Sequence, residues 1–317
     1  MKYFDFYGTN LAQIALGCDH YGAAIAEETA VQQLDIYYEG GGNVLDTALV
    51  YGQEKAGQPS TSEQVLGRWM AAHGLRDKLV VVSKGCHPPK DDMHKSRINE
   101  RAMIDDISRS LDQLKTDHLD IWFFHRDDPA MGADEIIDLA QQLIDKKLVR
   151  HLGASNWTTR RIAAANEWAT KEGKRPFTIS QIQYSLAHCT PEIWGDDTLV
   201  CMNEEEQQWY TEQQMPVMAF SPQAKGLFSK IIEGKEETIS EGGRRRFFTE
   251  RNLALVPEVR ALSDELGVSP AAVVIAYLTS QKNPTIAIAG SSRVEQITDT
   301  LSAASLTLSA EQLATLR

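Results

Sequence analysis

Short apolar runs rich in Val, Ile, Leu and Phe recur along the whole chain. They fall at 11–17, 43–47, 78–83, 119–125, 149–154, 177–183, 215–220 and 284–289, eight in all. Each is too short for a helix and reads as a strand buried on both faces. Between them lie stretches with apolar residues at helical spacing, at 27–38, 62–72, 99–114, 134–147, 158–172 and 204–213. Others follow at 257–266, 270–281, 294–303 and 309–316. Ile104, Ile107, Leu111 and Leu114 mark one helix face, and Lys146 and Lys147 suit a helix C-terminus.

Strands alternating with helices imply βαβ units and a parallel sheet. Eight strands in 317 residues favour the closed α/β arrangement, a (β/α)8 TIM barrel, over an open doubly wound sheet. No linker-like stretch divides the chain, so residues 1–317 read as one barrel domain. One connection is anomalous. After the seventh strand the segment 223–251 is polar and contains glycine, and a long loop of that kind is commonly a functional lid or a disordered insert. The run Arg244-Arg245-Arg246 inside it reads as a solvated helix start.

Charge and composition narrow the partners. A formal net charge of −12 argues against non-specific binding to nucleic acid or an anionic membrane. No apolar run approaches the ~20 residues of a membrane helix. Cys18, Cys86, Cys189 and Cys201 match no zinc spacing and read as reduced thiols. The N-terminus lacks a cationic segment followed by an apolar stretch, so a cytoplasmic protein is expected.

In a barrel the chemistry gathers where strands end. The second run ends in Asp46, with Tyr51 in the loop beyond it; the third ends in Lys84 and the fourth in His125. A lysine straight after apolar strand residues is costly to bury unless a carboxylate pairs with it, and Asp46 is the obvious partner. A free tyrosine has a pKa of ~10. An adjacent ammonium should lower that value, and a neutral imidazole could orient a carbonyl oxygen. Such a set would protonate an oxygen on which negative charge develops, as carbonyl reduction requires. A metal-dependent barrel hydrolase would need converging His, Asp or Glu ligands. Only Asp46 and His125 qualify, and Lys84 between them would repel a cation, so no metal site is expected.

These residues resemble a known family. The string from Asn43 to Gly52 is similar to the aldo-keto reductase signature, and Lys84 and His125 fall where that family carries its lysine and histidine. Leu152 to Trp157 resembles its Gly-x-Ser-Asn segment, and Gln181 to Ser185 resembles the segment whose glutamine binds the nicotinamide amide. The resemblance implies an NADP(H)-dependent oxidoreductase acting on a small-molecule carbonyl or alcohol, with Tyr51 as general acid and Asp46, Lys84 and His125 completing the catalytic set. It carries Ser155, Asn156 and Gln183 to the nicotinamide amide and Phe220 to its ring. Gly17 and Cys18 fall at the cofactor's edge, and Ser221, Gln223 and Gly226 along its pyrophosphate. Gly290, Ser291, Arg293, Gln296 and Asp299 fall at the adenosine-phosphate end. No GxGxxG motif follows a strand, consistent with phosphates held by late loops instead. Many relatives have Lys at Gly290, Arg at Gln296 and Asn at Thr300. Arg293 could replace the lost charge, so NADP(H) is expected with NAD(H) left open.

Residues after the strands should wall the substrate pocket: Asp19, His20, His87, Arg126, Asp127 and Trp157. Their polarity suggests a hydroxylated, sugar-like substrate. The family's barrel also serves as a non-enzymatic, cofactor-sensing subunit of potassium channels, which is the alternative reading. The sequence does not fix the oligomeric state.

Overall fold

The structure is a computed structural model that describes residues 1–55 and 57–316. The chain opens with an antiparallel hairpin, β1 (Tyr3–Phe6) and β2 (Thr9–Ala12). Eight parallel strands follow: β3 (Ile14–Gly17), β4 (Val44–Asp46), β5 (Val80–Gly85), β6 (Leu119–Phe124), β7 (Val149–Ser155), β8 (Phe177–Gln183), β9 (Val217–Phe220) and β10 (Thr285–Ala289). Each pairs with the next, and β10 closes on β3 to complete the barrel. The expected (β/α)8 architecture is therefore present.

Alternation along the strands divides the residues between two cores. Ala15, Val44, Val80, Val82, Ile121, Phe123, Ile179, Met218, Ile286 and Ile288 form one buried cluster, the barrel interior. Residues at the alternate strand positions, Leu16, Leu45, Val81, Trp122, Ala154, Ile182 and Ala219, belong to the layer between strands and helices. This period-2 pattern is the ordinary consequence of the β pleat. Gly153 falls on the interior face of β7, and a Cβ there would collide with the Phe123 ring, so the interior is filled by one aromatic where two side chains will not fit.

Two expectations change. The first apolar run is not one strand: Leu11 and Ala12 pair with the hairpin, while Ile14 onward joins the barrel. Phe6, Leu11 and Ala12 join the interior cluster and plug the end of the barrel where the strands begin. The segment 223–251 is neither lid-like coil nor disorder. It folds into helices Leu227–Ile232, Glu241–Phe247 and Glu250–Leu253, whose Leu227, Phe228 and Phe247 enter a satellite core with Leu186, Val259 and Leu262. The arginine triplet lies in the last turn of its helix, not at its start. Ser240 and Thr249 cap the second and third of these helices by accepting from Gly243 N and Asn252 N.

Among the described residues no single helix is long and apolar enough to cross a membrane.

Candidate functional site

Extending the interior alternation by one residue at the end where the strands finish gives Gly17, Asp46, Lys84, His125, Ser155, Gln183, Phe220 and Gly290. The apolar filling stops here and polar side chains take over. A single period-2 register thus brings residues from eight strands to one mouth.

Lys84 is the hub. Its Nζ donates to Asp46 Oδ1 at 2.8 Å, Asp46 Oδ2 at 3.0 Å, the Thr47 carbonyl at 2.8 Å and Tyr51 Oη at 3.3 Å. Both Lys84 and Asp46 are buried. Burial works against the ammonium, but Asp46 and Tyr51 together hold the lysine above its ordinary value. Burial likewise raises the Asp46 carboxyl, with Lys84 and Gln181 pulling the other way. The pair stays charged because each ion supplies the other's missing solvation.

Tyr51 is partly exposed at the mouth. Its phenol is not lowered overall, contrary to expectation. Burial pushes it up to about 12, and the Lys84 ammonium offsets only part of that. The phenol is therefore a held proton, not a phenolate. His125 meets Tyr51 edge to face, ring centres 5.8 Å apart, and His87 packs on the other side of His125 at 4.5 Å. Burial drives His125 well below the ordinary imidazole value, with His87, Arg126 and Lys84 adding to it. His87 is lowered to about 4, again by burial first. Both rings are neutral near pH 7, and His125 Nδ1 is buried without a hydrogen-bond partner among the described residues.

Asn156, in a left-handed backbone conformation (φ 58°), turns the chain at the end of β7. Its amide nitrogen reaches Ser155 Oγ at 3.2 Å and the His125 carbonyl at 3.4 Å. Gln183 donates to Ser185 Oγ at 3.1 Å. Gln181, one interior position deeper, spans the barrel and donates to Asp46 Oδ2 at 2.8 Å. The alternation that carries Gln183 inward carries Gln181 too, yet sequence reasoning assigned Gln181 no role.

Late loops form the rest of the rim. Ser221, Ala224 and Lys225 all have positive φ, as has Gly226, so the backbone after β9 curls tightly. Gln223 donates to Thr300 Oγ1 at 3.3 Å. A Cβ on Gly290 would meet only the Gly17 carbonyl at 3.4 Å and Asp19 Oδ1 at 4.0 Å, ordinary contact distances, so the position between β3 and β10 is open. Gln33, itself fully buried, anchors the Ser291 carbonyl at 3.2 Å. Gln296 Oε1 accepts from the Ser292 and Arg293 amides, leaving the Arg293 side chain exposed, and Asp299 is partly exposed on the same helix. Burial, Arg293 and Lys225 together lower Lys230, so three cations lie within reach of one another. Lys225 and Lys230 escaped sequence reasoning because their segment read as loop.

The expected pocket and rim residues differ in how they are engaged. Trp157 is fully buried between Phe177 and the Arg161 guanidinium, in the layer outside the strands, and does not wall the mouth. Asp127 is bound by Arg161 at 2.6 Å. Arg126 is spent on Thr198 Oγ1 at 3.0 Å, its neighbour's carbonyl at 2.9 Å and Asp196 at 3.3 Å. Cys18 is fully buried with its Sγ against the Leu16 carbonyl, and Asp46 and Lys84 both act on its thiol. Asp19 and His20 form an exposed pair, with Asp19 close enough to the mouth to act on Asp46 and Tyr51. Trp194, edge-on to Phe220 at 5.8 Å, adds an aromatic to the rim.

The parallel barrel thus gathers a phenol, a carboxylate-bound ammonium and a neutral imidazole at one mouth. The profile of the Aldo/keto reductase family matches residues 13–317, and the chain belongs to that family. It is 28% identical over 309 residues to an aryl-alcohol dehydrogenase [NADP(+)] of Phanerodontia chrysosporium, covering 90% of this chain and 74% of that one. It is 27% identical over 312 residues to the uncharacterized oxidoreductase YrpG of Bacillus subtilis (strain 168), covering 96% and 91%. Norsolorinic acid reductase stcV of Emericella nidulans is 24% identical over 320 residues, covering 96% and 77%. The chain is an NAD(P)H-dependent oxidoreductase, which sets the non-enzymatic alternative aside.

Proposed function

We propose that the mouth interconverts an aldehyde or ketone and its alcohol with NADP(H), Tyr51 exchanging the proton on the substrate oxygen. The observation that carries this reading is the contact of Lys84 Nζ with both Asp46 and Tyr51, beside a neutral His125. In the reductive direction Tyr51 donates its proton to the carbonyl oxygen as charge develops there. Lys84 lowers the cost of the phenolate left behind, and Asp46 keeps Lys84 charged and in place. His125 orients the carbonyl as a neutral ring. General acid catalysis of this kind contributes about 10²–10⁴-fold.

The residues present fit a phosphate-bearing dinucleotide. The curled backbone at Ser221 and Ala224 to Gly226, the open position at Gly290 and the cations Lys225, Lys230 and Arg293 supply backbone amides, space and positive charge. When bound, the nicotinamide supplies the hydride. Ser155, Asn156, Gln183 and Gln181 are the amide-binding candidates, and Phe220 the ring-stacking one. The cationic cluster and the NADP(+) of the first-named relative favour a 2′-phosphate over NAD(H).

Substrate class follows from what is free at the rim. A sugar-like substrate has lost much of its support, since Asp127 and Arg126 are taken by Arg161 and Asp196. Phe220, Trp194 and His87 favour a planar, aromatic carbonyl. The test is NADPH oxidation at 340 nm with a panel of aryl aldehydes and aldoses. Turnover of aryl aldehydes well above aldoses is expected, and no turnover of any carbonyl would refute the reading.

A further inference from the structure

The rim holds a guanidinium that forms no ion pair among the described residues. Arg246 makes no hydrogen bond or ion pair among the described residues, and its Nε is buried without a partner. Its neighbours in the triplet differ. Arg244 donates to the Glu236 carbonyl at 2.7 Å, and Arg245 is exposed. Arg246 instead lies over Trp194, its guanidinium carbon 4.1 Å from the ring centre. Trp194 in turn packs edge-on to Phe220, the last interior residue of β9. Arg246 therefore sits two ring contacts from the mouth.

The nearby carboxylate is already engaged. Asp196 accepts from Thr198 Oγ1 at 2.5 Å and from Arg126 at 3.3 Å. Arg126 and Arg246 thus both lie in the field of Asp196, and Cys189 also acts on Arg246, but among the described residues neither forms an ion pair with Arg246. The cofactor's phosphates have their own cations in Lys225, Lys230 and Arg293. A planar guanidinium stacked on an aromatic is a pre-organised fork for an oxyanion.

We propose that Arg246, with Trp194 as its platform, recognises an anionic group carried by the carbonyl substrate, so that preferred substrates are planar aldehydes or ketones bearing a carboxylate or phosphate. This deepens the proposed function and rests on it.

The test compares 4-carboxybenzaldehyde with benzaldehyde in the full-length protein and in Arg246→Gln and Arg246→Lys. Wild type should favour the carboxylated aldehyde in kcat/KM. Arg246→Gln should lower that ratio about tenfold or more, mainly through KM, and Arg246→Lys should restore part of it. An unchanged ratio would overturn the proposal. So would an equal rise in the NADPH dissociation constant, measured by fluorescence, which would give Arg246 to the cofactor. If neither aldehyde turns over, the oxidoreductase reading of the mouth fails separately. Calorimetric titration of the NADP+-loaded protein with 4-(hydroxymethyl)benzoate and benzyl alcohol then decides. Preference for the anion that disappears in Arg246→Gln supports the proposal, and equal affinity overturns it.

Discussion

Removing both halves of the buried Lys84–Asp46 pair should cost less than the two single removals added together. The Lys84 side chain is 0% exposed and that of Asp46 4%, so neither charge has water to fall back on. Asp46→Asn takes away the one anion that touches Lys84 Nζ among the described residues and leaves the ammonium with neutral acceptors. Lys84→Met leaves the Asp46 carboxylate with Gln181 as its side-chain donor. Breaking a buried pair from one side costs about 3–5 kcal/mol. The double variant Asp46→Asn/Lys84→Met removes both desolvation penalties and should fall short of the summed single costs by about 2 kcal/mol or more. The sign of the pH dependence is a further check. Without Lys84, burial leaves the Asp46 carboxyl raised above its unfolded value. Its contribution is then fully present below the unfolded pKa and is lost as pH rises through the folded one. Lys84→Met should therefore be less destabilised at acid pH than at neutral pH. Reversible urea unfolding followed by circular dichroism measures all four proteins. Single costs below about 1 kcal/mol, adding without a coupling term, would refute the view of this pair as mutually dependent ions.

Two other outcomes follow from the same geometry. With Tyr51 held near 12, its acid form persists through the neutral range. Carbonyl reduction should stay flat from about pH 7 to about pH 10 and fall above, while alcohol oxidation rises with pH; a reductive limb centred near pH 7 would contradict this. At the cofactor's far end, Arg293→Ala with Lys230→Ala should lower the NADPH-to-NADH preference in kcat/KM by about tenfold or more, since charged hydrogen bonds contribute about 1.5–3 kcal/mol each. An unchanged ratio would move the 2′-phosphate elsewhere.

The barrel was legible because strands buried on both faces leave continuous apolar runs, and the end of each run points to the mouth. Asp46, Lys84 and His125 could be found that way, since a charged or polar residue capping an apolar run is out of place unless it meets a partner. The hairpin was hidden because only one polar residue, Gln13, separates Leu11 and Ala12 from Ile14, and its Tyr7-Gly8 turn went unread. The helices of 223–251 are short and polar, so their periodicity is weak, although Ser240 and Thr249 carried the capping signal. Trp157 shows the other limit. Being next in sequence to a strand end says nothing of which side of the sheet an indole takes, and here it chose the helix layer. Whether Asp127 and Arg126 are free for substrate depends on Arg161 and Asp196, partners remote in sequence. The net rise of the Tyr51 phenol depends on burial, which spacing does not report.

The central claim is that Tyr51 supplies the proton, and Tyr51→Phe tests it most directly, with NADPH-dependent aldehyde reduction followed at 340 nm and NADPH binding by fluorescence titration. The account predicts a loss of turnover of about 10²-fold or more with the NADPH dissociation constant within about twofold of wild type. Wild-type turnover in Tyr51→Phe would contradict it.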